Sequence, residues 1–296
     1  MKLSRFSIRA AMMGALLCVG LAAVSCDARA AGPTLRVCTG EPSLRYFKTA
    51  GELAGQLRGI ANFDIKPSSG SVDNLRKLAS GDCDAAIVQS DAFIDYAATT
   101  PNASLKFEDV GELYGEYAQL LCNRGAGIGS VGDLAKKPET KVAIGPAGSG
   151  SATTWNALTA KVPAYNKVNT IPVPGDLALT RVVKGADAQC LLVVSGLNTD
   201  FMKKANDQGQ GKLVLVPFDD GAFAKVKDGN GHDVYGFAKI PGGTYKNLQD
   251  GMFSTTVSTI KVGAEFVILT DWYEKNQAVY GDLSSAVLKM GQRYAN

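Results

Sequence analysis

The sequence predicts an α/β protein of two lobes, each built on a parallel sheet, with two strands passing between the lobes as a hinge. Three observations predict it: a β-α-β-α-β pattern that occurs twice, an apolar segment between the two copies and a long β-rich run after them, and a length that suits two cores of ordinary size.

The chain opens with an address. Lys2, Arg5 and Arg9 precede an uncharged apolar run from Ala10 to Cys26, and Ala28-Arg29-Ala30 supplies the small residues at which a signal peptidase cuts. The run is shorter than the roughly 20 residues a bilayer-spanning helix needs. Residues 1–30 are therefore expected to be a leader cleaved near Ala30, which sends the rest to the periplasm; acylation at Cys26 is the minor alternative. Four of the 31 basic and one of the 28 acidic residues lie in that leader. The remainder is balanced in charge, with no basic footprint for nucleic acid.

The first copy of the pattern begins with the strand Leu35 to Thr39, which ends at Gly40. A helical stretch follows, then a strand from Phe63 to Lys66, the turn SSGS, the helix VDNLRKLASG and the strand Asp84 to Gln89. The second copy runs KVAIG from Lys141, a Gly/Ser turn, the helix SATTWNALTA, the strand NTIPV, a PGD turn, the helix LALTRVVKG and the strand DAQCLLVVS ending at Ser195. Strands alternating with helices make parallel sheets with right-handed crossovers. Loops after parallel strands gather at the carboxyl edge, where ligands bind, so the polar loops of the two units are expected to face one gap. Tyr117 to Cys122 and Val257 to Leu269 are read as the connecting strands. The tail, Asp271 to Tyr294, is read as helices covering the first lobe. The division expected is 31–119 with 253–296 as one lobe and 120–252 as the other.

Cys38, Cys83, Cys122 and Cys190 follow the leader. Export permits disulfides; four cysteines allow three pairings, and the alternative of buried free thiols stays open.

Residues able to titrate or attack are scarce. The one histidine, His232, lies in the loop DGNGHD, and there is no Gly-x-Ser-x-Gly elbow. That loop begins like a calcium loop with Asp228, Asn230 and His232, but Asp233 stands where glycine belongs and Lys239 where the closing glutamate belongs. No catalytic residue, metal or cofactor is expected. Gly145 to Ser151 (GPAGSGS) lacks the lysine of a nucleotide-binding loop. Its backbone N–H groups, next to a helix start, suit an anion. Ser68 to Ser71 offers a matching turn in the other unit, so a carboxylate between two helix N-termini is the expected ligand; the plainer reading is that these serines cap their helices.

A set of ordered motifs resembles the substrate-binding subunits of tripartite ATP-independent periplasmic (TRAP) transporters, in their TAXI branch. They are Thr39-Gly40 with Tyr46-Phe47, Gly70-Ser71 with Asn74, Gln89-Ser90-Asp91, Gly111-Glu112-Leu113-Tyr114 with Glu116, Ser130-Val131 with Asp133-Leu134, Gly148-Ser149-Gly150-Ser151, Asp187-Ala188, and Ile240-Pro241 with Gly243-Thr244-Tyr245. The resemblance implies a type II periplasmic-binding-protein fold, a monomer that closes on a small ligand such as glutamate or 2-oxoglutarate, and an integral-membrane TRAP permease as partner. It implies that Thr39, Gly40, Tyr46, Ser71, Asn74, Gln89, Asp91, Ser149, Gly150 and Ser151 line or support the pocket. Ser195 is a further candidate at the end of its strand. One departure is the first loop, Gly40-Glu41-Pro42-Ser43-Leu44-Arg45, where the family carries glycines. Glu41, Leu44 and Arg45 bring bulk and charge there, and Arg45 becomes a candidate for a bidentate contact to a ligand carboxylate. A receptor for an ATP-driven permease or sensor kinase is the alternative. A hydrolase using Asp91 and Glu116 is the remote one.

Overall fold

The computed structural model describes residues 32–42, 44–100, 106–227, 231–249 and 255–295. The leader, Cys26, Ser43, Asp228 and Asn230 lie outside them.

The first unit runs β1 (Thr34–Cys38), α1 (Arg45–Gln56), β2 (Asn62–Lys66), α2 (Ser71–Ser80), β3 (Ala85–Gln89) and α3 (Ser90–Thr99). After β4 (Phe107–Asn123) and α4 (Val131–Lys136), the second runs β5 (Lys141–Ala143), α5 (Gly150–Lys161), β6 (Asn169–Ile171), α6 (Gly175–Lys184) and β7 (Cys190–Ser195). Then come α7 (Asp200–Gln208), β8 (Leu213–Val216), β9 (Gly236–Ile240), β10 (Val257–Leu269), α8 (Thr270–Lys275) and α9 (Gln277–Ala295).

The repeated pattern becomes a repeated sheet. Strand order is β2-β1-β3-β10-β4-β7-β5-β6, with β8 beside β4 and β9 beside β10. Each unit is three parallel strands closed by one antiparallel strand: β2-β1-β3 by β10, and β6-β5-β7 by β4. The two closing strands also pair with each other, from Lys261 opposite Tyr117 to Leu269 opposite Phe107. This ribbon makes the two half-sheets continuous, and two register shifts, at Ala264/Glu265 and Phe266/Val267, twist it where β10 also pairs with β3.

The expected strand at Tyr117–Cys122 therefore extends ten residues further toward the N-terminus, to Phe107. Its first part, FEDVGELYGE, is too acidic to read as a strand, because the ribbon has one wet face. Glu108, Asp109 and Glu112 point outward while Val110, Leu113 and Tyr114 are buried.

The shared text after α2 and α6 has a mechanical reason. Gly81 (φ 79°) and Gly185 (φ 70°) cap those helices in the left-handed region, which glycine enters without a Cβ clash, and the chain turns directly into β3 and β7.

Each half-sheet buries apolar side chains on both faces. In the first, Leu53 of α1 and Leu283, Val287 and Met290 of α9 cover one face, and Leu75 and Leu78 of α2 the other. The tail thus covers the first unit as its sequence suggests, and Trp272 Nε1 in α8 donates to the Thr34 carbonyl at 3.1 Å. In the second, Trp155 and Leu158 of α5 lie on one face and Leu179 and Val182 of α6 on the other. Among the described residues no helix is long and apolar enough to cross a membrane.

The cysteines are paired as Cys38–Cys83 and Cys122–Cys190. The first bridge ties the end of β1 to the start of β3, and the second joins residues opposite each other on β4 and β7. All four are fully buried. Closing chain segments of 45 and 68 residues restricts the unfolded chain by an amount worth about 4 kcal/mol for each bridge. Removing either bridge by a paired Cys→Ala change should lower the urea midpoint substantially, and reductant should then shift it again. A midpoint indifferent to reductant in the native chain would show that the bridges do not form.

Candidate functional site

The buried faces of three helices share one design. In α1 the inward positions are Tyr46, Thr49, Ala50 and Leu53; in α2 they are Ser71, Asn74, Leu75 and Leu78; in α5 the half-buried Ser151 and the buried Thr154, Trp155 and Leu158 follow the same spacing. The spacing i, i+3, i+4, i+7 places each set on one stripe. In α2 and α5 the stripe is apolar where the helix crosses its own sheet and polar in its first turn. Those polar first turns meet at a seam between the two units.

From the first unit, Gln89 lays its amide on the start of α5. A β-carbon built on Gly150 falls 1.6 Å from Gln89 Oε1, so only glycine permits this approach. Gln89 Nε2 donates to Thr154 Oγ1 at 3.0 Å, and Thr154 Oγ1 donates to Asp91 Oδ2 at 2.7 Å. Tyr235 OH donates to the same oxygen at 2.9 Å. Gly70, at the start of α2, lies against Gly148 and Ser149: its β-carbon position is 3.8 Å from Ser149 Cα. Ser71 and Ser149 thus face one seam from opposite sides. Behind Gln89, its backbone N–H donates to Ser71 Oγ at 3.0 Å, Tyr46 OH stands 3.5 Å from Ser71 Oγ, and Tyr46 OH donates to Glu116 Oε2 at 3.0 Å. At the outer mouth, between α2 and α5, a hollow of about 280 Å³ is lined by Val72, Arg76, Ala147, Gly148 and Asn156. On the surface an ion pair between Lys48 of α1 and Asp200 of α7 also spans the units.

Of the residues expected at the site, the structure brings Tyr46, Ser71, Gln89, Asp91, Ser149 and Gly150 to the seam. Others support it from behind. The Asn74 amide donates to the carbonyls of Thr39 (2.5 Å) and Ile87 (2.8 Å), and Thr39 Oγ1 donates to Lys66 O at 3.0 Å. These bonds tie the ends of β1, β2 and β3 together, with Gly40 buried at the turn. Ser149 caps α5 by accepting from Ala152 N–H at 3.4 Å, so the capping reading holds for that serine. Ser71 differs: its hydroxyl makes no cap bond and serves Gln89 instead. Ser151 Oγ accepts from Val194 N–H at 3.0 Å and so holds β7, while Ser195 Oγ accepts from Gln119 Nε2 at 3.1 Å and ties β7 to β4.

The Arg45 guanidinium is packed on two tyrosine rings, 4.9 Å from the centroid of Tyr114 and 4.4 Å from that of Tyr294, and its Nε is buried without a partner. Stacking occupies the faces of the fork, so the expected free bidentate arm is instead an anchored cation. In the former calcium-like loop, Asp233 is engaged by Lys227.

Two contributors to the seam were not anticipated, Thr154 and Tyr235, and Glu116 was named only in a motif and in the remote hydrolase pair. Thr154 had a signal, one helical turn beyond Ser151 on the same stripe. Tyr235 had none.

Burial dominates the electrostatics. Glu116 is raised from its usual 4.5 to about 8, mainly because it is cut off from water; the Tyr46 hydrogen bond and Arg45 pull it down, and Asp91 pushes it up. Asp91 is also raised by burial, against the donors Thr154, Tyr235 and Ala92 N–H. On the ribbon, Glu265 is held up to about 8 by burial and by the neighbouring Asp109 and Glu112.

Two units with this strand order, joined by a two-strand ribbon and meeting at polar loop ends, define a two-lobed α/β protein of the type II periplasmic-binding-protein fold. Solved structures agree in fold. The substrate-binding protein of an amino acid ABC transporter is 11% identical, with 88% of this chain and 94% of that one covered and a TM-score of 0.51. A putative periplasmic sulfonate-binding protein of a sulfonate ABC transporter from Methylobacillus flagellatus KT gives 11%, 88%, 68% and 0.50. A protein of Bordetella bronchiseptica RB50 gives 14%, 88%, 71% and 0.52. Comparison with curated protein sequences returns no match. Residues 37–280 match the NMT1-like family, and the chain belongs to that family.

Two outcomes follow from the seam. Gly150→Leu should force the units apart without unfolding them, seen as a larger radius of gyration in X-ray scattering with unchanged far-UV circular dichroism; adding Gln89→Ala should restore the native value. An unchanged radius for Gly150→Leu would contradict the contact. The raised carboxyls set the pH dependence: folded Glu116 and Glu265 keep protons that the unfolded chain has released above about pH 4.5. The native state then binds more protons, so stability falls as pH rises from about 4.5 to 8. Glu116→Gln with Glu265→Gln should flatten the melting temperature across that window, and an equally steep profile in the double variant would refute the assignment.

Proposed function

We propose that the chain is an exported periplasmic receptor that captures a small carboxylate-bearing molecule at the seam, glutamate and 2-oxoglutarate being the model ligands, and delivers it to a TRAP-type secondary transporter without performing chemistry on it. The observation that carries this reading is the Gln89–Gly150 approach, in which the first unit closes on the start of α5 through uncharged, backbone-rich turns. Such a surface gains by enclosing an anion at a helix start. Two buried disulfides suit an oxidising compartment and support the export reading of residues 1–30. The TAXI motifs favour the TRAP permease.

In this reading the lobes are 31–119 with 253–296 and 120–252, the ribbon of β4 and β10 is the hinge, and the protein acts as a monomer. Capture is a hinge closure stabilised by contacts made only in the closed form. A second reading keeps the receptor and changes the partner: two of the similar folds serve ABC transporters by their names, so an ATP-driven permease is the alternative. Uptake reconstituted in vesicles separates the two by its dependence on an ion gradient or on ATP.

The direct test is native mass spectrometry of the protein purified without denaturation, followed by a thermal-shift screen of dicarboxylates, 2-oxo acids and amino acids. A co-purified small molecule is expected. Ligand at a hundred times its dissociation constant should stabilise by about 2.7 kcal/mol. No bound molecule and no shift with any of these acids would count against the receptor reading.

A further inference from the structure

Glu116 is the buried group the capture reading leaves unused. It lies on β4 with 4% of its surface exposed, joined to the seam through Tyr46 and Ser71, and Asp91, 3% exposed, is the carboxyl whose charge acts on it. Two carboxyls removed from water beside each other, with no ion pair to either among the described residues, are costly unless a cation or a proton joins them.

The groups facing Glu116 are Arg45 and Tyr46 from α1, Ser71 from α2, Asp91 from α3 and Tyr114 from β4. Among the described residues Tyr46 is the one hydrogen-bond donor to Glu116. Thr154 and Tyr235, from across the seam, spend their hydroxyls on Asp91. Lys261 of β10 is not available: it lies over Gly115, whose position points to the opposite face of the strand, and reaches Glu112 at 3.5 Å. Arg45, the one nearby cation, is held on the rings of Tyr114 and Tyr294 and makes no ion pair with Glu116, while its buried Nε has no acceptor. One cluster therefore holds a carboxyl lacking a cation and a cationic donor lacking an anion.

We infer that the ligand is a zwitterion, an amino acid or a close relative, whose ammonium group is received by Glu116. This rests on the capture reading and narrows it: glutamate fits, and 2-oxoglutarate does not. Before binding, Glu116 is largely protonated at neutral pH, since burial raises it to about 8. Binding is an exchange. The Glu116 carboxyl gives its proton to solvent, and the carboxylate so formed pairs with the ammonium, which keeps all its protons. The ligand carboxylate lies toward Arg45 Nε and the helix starts. Binding of a zwitterion releases a proton, whereas a 2-oxo acid has nothing to exchange for it.

The test uses the full mature protein and matched panels: the twenty common L-amino acids and the 2-oxo acids obtained by replacing the amine with a carbonyl. Calorimetry of the binders at pH 7, in two buffers of different ionisation enthalpy, reads affinity and proton release together. At least one amino acid should bind with release approaching one proton and exceed its 2-oxo partner by at least about 100-fold. Glu116→Gln, which keeps an acceptor for Tyr46, should weaken that amino acid by at least about 30-fold and abolish the release. Its folding is checked by an unchanged circular dichroism spectrum. Tyr46→Phe, which removes the donor on Glu116, should retain the release.

A 2-oxo acid that binds as tightly as its amino acid, binding without proton release, or full affinity in Glu116→Gln overturns the inference while leaving the receptor reading in place. No binding by either panel also overturns it. The receptor reading itself then stands or falls separately on whether native mass spectrometry finds a co-purified molecule.

Discussion

The antiparallel ribbon of β4 and β10 is the constraint on which the rest of this structure depends. Each strand closes the parallel sheet of one unit while pairing with the other strand, so the two units share a backbone ladder. Register shifts at Ala264/Glu265 and Phe266/Val267 twist it along the stretch that also pairs with β3. The loop ends of the two sheets, including Gln89 at the end of β3 and Gly148 to Gly150 after β5, are thereby brought to the same side. What those loops carry decides what the protein can hold.

They carry polar side chains at the start of helices whose deeper turns are apolar, and the division of labour is energetic. Leu75 and Leu78 in α2, with Trp155 and Leu158 in α5, supply burial worth about 1.5–3 kcal/mol for each aliphatic side chain and anchor each helix to its own sheet. Ser71, Gln89, Asp91 and Thr154 sit where the apolar stripe ends and satisfy one another across the gap. Such a seam is held by a few hydrogen bonds of modest net worth, near 1 kcal/mol apiece. It can part without disturbing either core. The buried carboxyls of Glu116 and Asp91 add strain of the opposite sign, since enclosure raises both.

Much of this architecture was legible in the residues. The doubled pattern gave both half-sheets because strand and helix periodicities differ clearly, and Gly81 and Gly185 marked the same turn twice. The Gly/Ser turns announced the seam, and six of the expected residues meet there. The ribbon was only half visible, because its N-terminal acidic face masks the alternation of β4. The cysteine pairing was invisible in principle: it depends on which strands become neighbours, and Cys122 meets Cys190 only through the β4–β7 register. Tyr235 reaches Asp91 over 144 residues and Thr154 reaches it over 63, contacts that no local pattern encodes. Arg45 was half legible: its place at a loop end shows in the sequence, whereas its stacking on the rings of Tyr114 and Tyr294, one on the ribbon and one on α9, depends on distant segments.

The claim most open to decision is that the units move about the ribbon and meet at the seam. Distances between spin labels carried by unnatural amino acids at positions 48 and 200, which the Lys48–Asp200 pair brings together across the units, report it by pulsed electron resonance. A short and a long population are predicted, with any small molecule that binds shifting weight to the short one. A single narrow distance that no bound molecule alters would contradict the account.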